Sequence, residues 1–144
     1  MTGAHVIGTG SSEKSRALLD EFQISEFVNY KQSSLEKAIA KVDLVVDCVG
    51  GSVSEECLKV VKNGGLVISI ASVDMQEAAQ KQGLRGLFFI VQMNATQLKE
   101  ISSLIENKVV RPVVDSVFPL ERTKDAFEKG AEGHSVGRMV ISVS

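Results

Sequence analysis

An α/β fold built on a parallel sheet is the class this sequence predicts, and three observations predict it. Short β-branched runs alternate with stretches whose apolar residues recur at helical spacing. The joints between them are short and rich in Gly, Ser and Asn. The run Val42 to Gly51, VDLVVDCVGG, is nearly continuous in apolar character instead of alternating. A strand of that kind is expected to be buried on both faces, as in an open parallel sheet. Ligands of such sheets sit beyond the carboxyl ends of the strands, so Asp47, Cys48, Val49 and Gly50 are the first residues to suspect. Gly50 and Gly51 allow a sharp turn and the close approach of something flat.

In chain order, His5 to Thr9 reads as a strand and Gly10-Ser11-Ser12 as a polar turn ending in an N-cap. A helix from about Glu13 to Phe22 follows, with Ala17, Leu18 and Phe22 at helical spacing, then a short strand, Phe27 to Tyr30. Ser33 or Ser34 caps a helix over Leu35 to Lys41. After the central run, Ser52 or Ser54 opens a helix that Asn63-Gly64-Gly65 is expected to close at a positive φ. Strand Leu66 to Ile70 comes next, then a polar stretch, Val73 to Gln82, readable as a loop or short helix, and an apolar strand, Leu84 to Met93. Gln97 to Asn107 carries Leu98, Ile101, Leu104 and Ile105 at helical spacing. Val109 to Phe118 is extended, bracketed by Pro112 and Pro119. A last helix, Glu121 to Lys129, precedes Gly133-His134-Ser135 and a closing strand, Arg138 to Val143; this tail reads as less regular.

At 144 residues, with 44% hydrophobic and 24% charged residues, the chain is the size of one domain able to bury a core. A net charge of -2 with interspersed signs leaves no electrostatic footprint for nucleic acid or an anionic membrane. The longest apolar run, Leu87 to Val91, is too short to span a bilayer, and Met1 is not followed by a signal region. The expected location is the cytoplasm. Cys48 and Cys57 form no CxxC pair and have no spaced His doublet, which favours reduced, packed thiols over metal ligands. No metal site is expected.

Gly8-Thr9-Gly10 opens like GxGxxG, yet its third position is Glu13, whose carboxylate would repel a pyrophosphate. As a phosphate cradle it reads better as an ordinary strand-to-helix turn. Ser11, Ser12, Lys14 and Arg16, however, set two hydroxyls, helix-start amides and two cations beside one strand end, with no acid directly after the strand. That set suits the 2′-phosphate of NADP better than the 2′-hydroxyl of NAD; a merely solvated helix face is the alternative. Asp43 and Asp47 lie roughly 13 Å apart on a strand, too far to share a proton. His134 is lone, without a carboxylate or nucleophile at a telling spacing.

The ordered segments GAHVIGTGSSEKS, FVNYK, VDLVVDCVGG, LKVVKNGGLVISIAS and RPVVDSVFPLERTKDAFEKGAEGHSVGRMVISV resemble the cofactor-binding and C-terminal part of medium-chain dehydrogenases, in the quinone-oxidoreductase-like (zinc-type alcohol dehydrogenase-like) branch. The resemblance implies NADP(H) as cofactor, a dimer or other homo-oligomer, and hydride transfer to a quinone, enone or carbonyl substrate, with no protein acid or base required. It implies that Gly10, Ser11, Ser12, Lys14 and Tyr30 hold the adenosine 2′-phosphate side. Val49, Gly50, Ile70, Ala71 and Ser72 would face the ribose and nicotinamide, with Phe89 and Val91 on an apolar strand that closes over the nicotinamide and joins subunits.

Against the family pattern the chain starts at the second strand, lacking the first strand, its glycine-rich turn and the N-terminal catalytic domain. Residues 1–108 are then a partial NADP-binding, Rossmann-like domain, and 109–144 a segment that in the family packs with the catalytic domain. In the family's sheet the first strand lies between the strands of Val6 and Val45, so two edges are exposed unless they pair with each other or with another chain. The expectations are weak or no NADPH binding by the chain alone, no quinone turnover, and self-association. A non-catalytic α/β module that binds a nucleotide or a partner subunit through its open edge, or a fragment without activity, is the alternative reading.

Overall fold

The computed structural model of the chain describes residues 3–133 and 135–143. They fall into two compact units, Met1–Gln92 and Met93–Ser144. In the first unit the order is β1 (Ile7–Gly10), α1 (Glu13–Glu21), β2 (Glu26–Asn29), α2 (Leu35–Ala38), β3 (Val42–Asp47), α3 (Ser52–Lys59), β4 (Val61–Ser69), α4 (Met75–Gln80) and β5 (Arg85–Phe88). Ser12 starts α1 as its N-cap, in extended conformation, its Oγ accepting the Ser15 amide at 3.1 Å. Gln23, at φ +53°, turns the chain out of α1 toward β2.

All strand pairs are parallel, but they form more than one sheet. β1 pairs with β2, and β3, β4 and β5 pair in chain order; among the described residues no ladder joins the two sets. Side chains join them instead. Val28 of β2 and Leu35 of α2 share one cluster with Cys57, Leu58, Val60, Val61, Val67, Met75, Ala79 and Leu84, with Ile7 and Val45 packed against it. Each fully buried Val, Leu or Met there contributes roughly 1.5–3 kcal/mol. Helices α3 and α4 cover one face of the β3–β5 sheet. At Gly86 a Cβ would come within 2.5 Å of the Met75 carbonyl oxygen, so α4 seats directly on β5 only because that position has no side chain.

Several expectations are corrected here. The central strand is not buried on both faces: Val45 and Asp47 face the core, whereas Leu44 and Val46, on the other side of the pleat, are 50% and 57% exposed. Among the described residues, α3 and α4 pack on the side of Val45 and Val67 and leave Leu44 and Val46 exposed. Asn63-Gly64-Gly65 does not end a helix, since α3 stops at Lys59 with Val60 as C-cap. The three residues lie inside β4, where the register steps from Val42↔Val61 to Leu44↔Leu66 and the extra residues loop out. Gly64 does take the positive φ expected of it, +74°, but in this bulge. Helix α2 ends at Ala38 instead of Lys41 because Ile39 turns extended to lead into β3. The apolar run to Met93 is strand only through Phe88. The polar stretch after Val73 resolves as α4.

The second unit comprises α5 (Ala95–Glu106), β6 (Val114–Pro119), a 3-10 turn (Leu120–Arg122), α6 (Thr123–Ala131) and β7 (Arg138–Ser142). The Asn94 side chain caps α5, accepting the amides of Thr96 and Gln97. The tail is more regular than expected, because β6 and β7 pair in parallel around α6 as a strand-helix-strand unit. Asp115 fastens it, accepting from Lys129 Nζ and from the Val136 amide. Those bonds, with the Ser116 hydroxyl, hold its carboxyl below the ordinary carboxylate range. His134 lies outside the described residues.

Candidate functional site

The carboxyl ends of β3 and β4 are tied together by one buried carboxylate. Asp47 is 2% exposed and is the register partner of Ser69, which is 0% exposed. Its Oδ1 accepts the amides of Val49 and Gly50, each at 2.9 Å. Its Oδ2 accepts the hydroxyls of Ser54 at 2.6 Å and Ser69 at 3.0 Å. Ser69 Oγ in turn accepts the amides of Ala71 at 3.1 Å and Ser72 at 2.9 Å. Burial works to raise the Asp47 pKa, but the four donated hydrogen bonds outweigh it and hold the carboxyl below its ordinary value of 3.8. The group is therefore an anion at neutral pH, fully engaged and unsuited to proton transfer.

Because of this network the two turns lie against each other. Gly50 has φ +82°, and a Cβ there would sit 3.1 Å from both the Cβ and the carbonyl oxygen of Ala71. Val49 and Ile70 stand out from the turns, 71% and 51% exposed, while Ser72 is half-buried. The result is a pair of packed turns flanked by exposed apolar side chains at the carboxyl ends of two strands, the kind of place where α/β sheets bind ligands. Beside it Cys57 is buried, its thiol pushed up to about 11 by burial and then by the Asp47 charge, so it is inert. Cys48 is exposed.

The ends of β1 and β2 form a second, open set. Gly10 pairs with Asn29, and the Tyr30 amide donates to the Gly10 carbonyl at 3.2 Å, which places Ser11 and Tyr30 side by side. A Cβ at Gly10 would lie 2.7 Å from Ser15 Cβ, so this glycine serves close strand-helix packing. Ser12 is engaged in capping α1 and shares a 2.9 Å hydrogen bond with the Ser15 hydroxyl. Lys14 and Tyr30 are exposed, and Arg16 lies over the Phe27 ring, 5.5 Å from its centroid. Phe89 and Val91 are exposed beyond the end of β5.

The sequence model of zinc-binding dehydrogenases matches residues 22–141. The chain belongs to that family. Within it the chain is of the medium-chain, quinone-oxidoreductase-like kind. It is 32% identical to a "Probable zinc-binding oxidoreductase, mitochondrial" of Arthroderma benhamiae, over 96% of this chain and 44% of the relative. It is 29% identical to the chloroplastic "NADPH-dependent alkenal/one oxidoreductase" of Arabidopsis thaliana, over 96% of this chain and 34% of the relative. The solved quinone oxidoreductase of Coxiella burnetii superposes with a TM-score of 0.90 at 27% identity, over 99% of this chain and 46% of that one. The chain thus spans less than half the length of these relatives.

The zinc in the family's description finds no fit in these residues: among those described, no three His, Cys, Asp or Glu side chains converge to hold a metal ion. Among the described residues, no helix is long and apolar enough to cross a membrane. Ser54 and Ser69 are the residues sequence reasoning missed. An acid at a strand end with a Gly three residues on was visible as a signal, but Ser69 joins it only through the β3–β4 register.

Proposed function

We propose that this chain forms the nicotinamide-nucleotide-holding part of an NADPH-dependent oxidoreductase that reduces quinones, enones or other activated carbonyls. The observation that carries this reading is the pair of turns at the ends of β3 and β4, with Gly50 against Ala71 and both turns tied to Asp47. A bound nicotinamide would supply the hydride chemistry. The residues of this chain bind and orient: Val49, Gly50, Ile70, Ala71 and Ser72 flank the nicotinamide side, with Phe89 and Val91 as an apolar cover. Gly10, Ser11, Ser12, Lys14 and Tyr30 take the adenosine end. Preference for NADP over NAD is supported by Lys14 and the Ser11 hydroxyl beside Tyr30, a set suited to a 2′-phosphate. The free thiols, Cys48 and Cys57, fit a reducing compartment such as the cytoplasm.

Residues 3–92 show no glycine-rich cradle for a pyrophosphate, so binding is expected to be weak, and NMR titration is the suitable test. The expected result is that 2′,5′-ADP shifts the amides of Ser11, Lys14 and Tyr30, and NADPH shifts these together with Val49, Gly50, Ala71 and Ser72. Lys14→Ala should erase the advantage of 2′,5′-ADP over 5′-AMP. Equal affinity for those two ligands in the wild type would overturn the NADP assignment. Shifts confined to other surfaces would overturn the site.

A role in assembly is favoured by separate observations. Among the described residues β3 and β5 each pair on one side only, and Leu87 of β5 and Ile90 just beyond it are exposed. We infer that a second copy of this chain covers such an edge, giving a homo-oligomer. Sedimentation at micromolar concentration is expected to give a dimer or larger species, and a cooperatively melting monomer would rule it out.

A further inference from the structure

Asp47 is charged, buried and uninvolved in proton transfer, yet it accepts four hydrogen bonds. Two come directly from one turn and, through Ser69, two further amides of the other turn are held by the same carboxylate. An unpaired buried carboxylate would be costly, so the network is needed for Asp47 to be tolerated at all. That need alone does not explain its shape. Ser54 donates its hydroxyl to Oδ2 from helix α3, whereas Ser69 spends its donor on Asp47 and its acceptor on the amides of Ala71 and Ser72. The geometry points to Asp47 and Ser69 as positioning residues: together they clasp the Val49–Gly50 turn to the Ala71–Ser72 turn and fix this pair of turns for the nicotinamide half of a dinucleotide before it binds.

The physical advantage is preorganisation. Four amides that would otherwise sample water-bonded conformations are fixed, so a ligand meeting the two turns is spared the cost of ordering them. The inference rests on the cofactor reading given above, and it separates the two ends of the ligand. The clasp acts on the nicotinamide end, whereas 2′,5′-ADP carries only the adenosine end and should be indifferent to it.

The test compares Ser69→Ala with Ser54→Ala in the full chain, since each removes one hydroxyl bonded to the same carboxylate oxygen. Ser69→Ala is expected to lower NADPH affinity about fivefold or more and leave 2′,5′-ADP within about twofold. It should also speed amide exchange at Ala71 and Ser72 about tenfold, the scale of one lost hydrogen bond. Ser54→Ala should change both readouts less than about twofold. If Ser69→Ala fails to fold, Asp47→Asn serves, because it keeps the acceptor for Val49 and Gly50 and removes the one that receives the serine hydroxyls. Equal loss of both ligands, equal effects of the two serine variants, or unchanged exchange at Ala71 and Ser72 would overturn the clasp while leaving the cofactor reading in place. A wild type that responds to neither ligand would overturn that reading and the clasp's role with it.

Discussion

The two strand-end regions of the first unit are built on opposite plans. At β3 and β4 a buried carboxylate takes four hydrogen bonds and fixes two turns against each other. At β1 and β2 the polar groups are exposed or busy at home: Ser12 caps its helix, Arg16 rests on Phe27, and Lys14 and Tyr30 reach into solvent. The first region is held in shape by its own hydrogen bonds; the second offers charge and hydroxyls that a ligand would have to order for itself. What the difference teaches is that one strand-end region carries stability, while the other leaves its polar groups available. On the reading proposed above, a change at Asp47 would act on the fold and a change at Lys14 on the choice of ligand.

The largest effect should come from breaking the buried side. Asp47→Ala leaves two amides and two serine hydroxyls without their acceptor, and each buried orphan costs about 1–3 kcal/mol. A loss of about 3 kcal/mol or more is expected in urea unfolding, a large part of a domain's net stability. A loss below about 1 kcal/mol would mean that water replaces the carboxylate freely and that the two regions do not differ in kind.

Acid should expose the same contrast more gently. The folded pKa of Asp47 lies below its ordinary 3.8, so its contribution is fully present above about that pH and is lost as pH falls through the folded value. Asp115 in the second unit, also lowered, adds a contribution of the same sign. Unfolding free energy measured from pH 6 downward should therefore begin to fall near pH 4, and Asp47→Asn should flatten part of that slope. An unchanged slope in Asp47→Asn would assign the acid limb to other carboxylates.

Smallest of all should be the effect on stability of Lys14→Ala or Tyr30→Phe, within about 0.5 kcal/mol of the wild type in the same urea experiment. A destabilisation of more than about 1 kcal/mol by either would show that the open region is also a structural one.

The order of strands and helices was legible because short apolar runs and helical spacings survive in the sequence whatever surrounds them. The positive φ of Gly64 was legible too, but not its setting, since a glycine after an asparagine serves a helix end or a strand bulge equally well until the β3–β4 register is known. The continuous run of β3 promised burial on both faces. Leu44 and Val46 show that apolar character records what a strand is suited to, while exposure depends on which elements lie over it. In the candidate site, Gly50 and Ala71 could be named from a family resemblance, but the Asp47–Ser69 link spans 22 positions and exists only through strand pairing. No local pattern encodes it.

Every ladder in the described residues joins strands that are neighbours along the chain: β1 to β2, β3 to β4, β4 to β5, and β6 to β7. Each pairing closes over a short crossover, so no strand must wait for a partner far away in sequence. Partners one crossover apart lie between the local contacts of a helical bundle and the distant pairings of a β-sandwich, and folding speed rises as contacts become more local. Each strand-helix-strand piece can take its parallel pairing soon after its second strand has left the ribosome, N-terminal pieces first. The sheets are thus written in the order in which they are read.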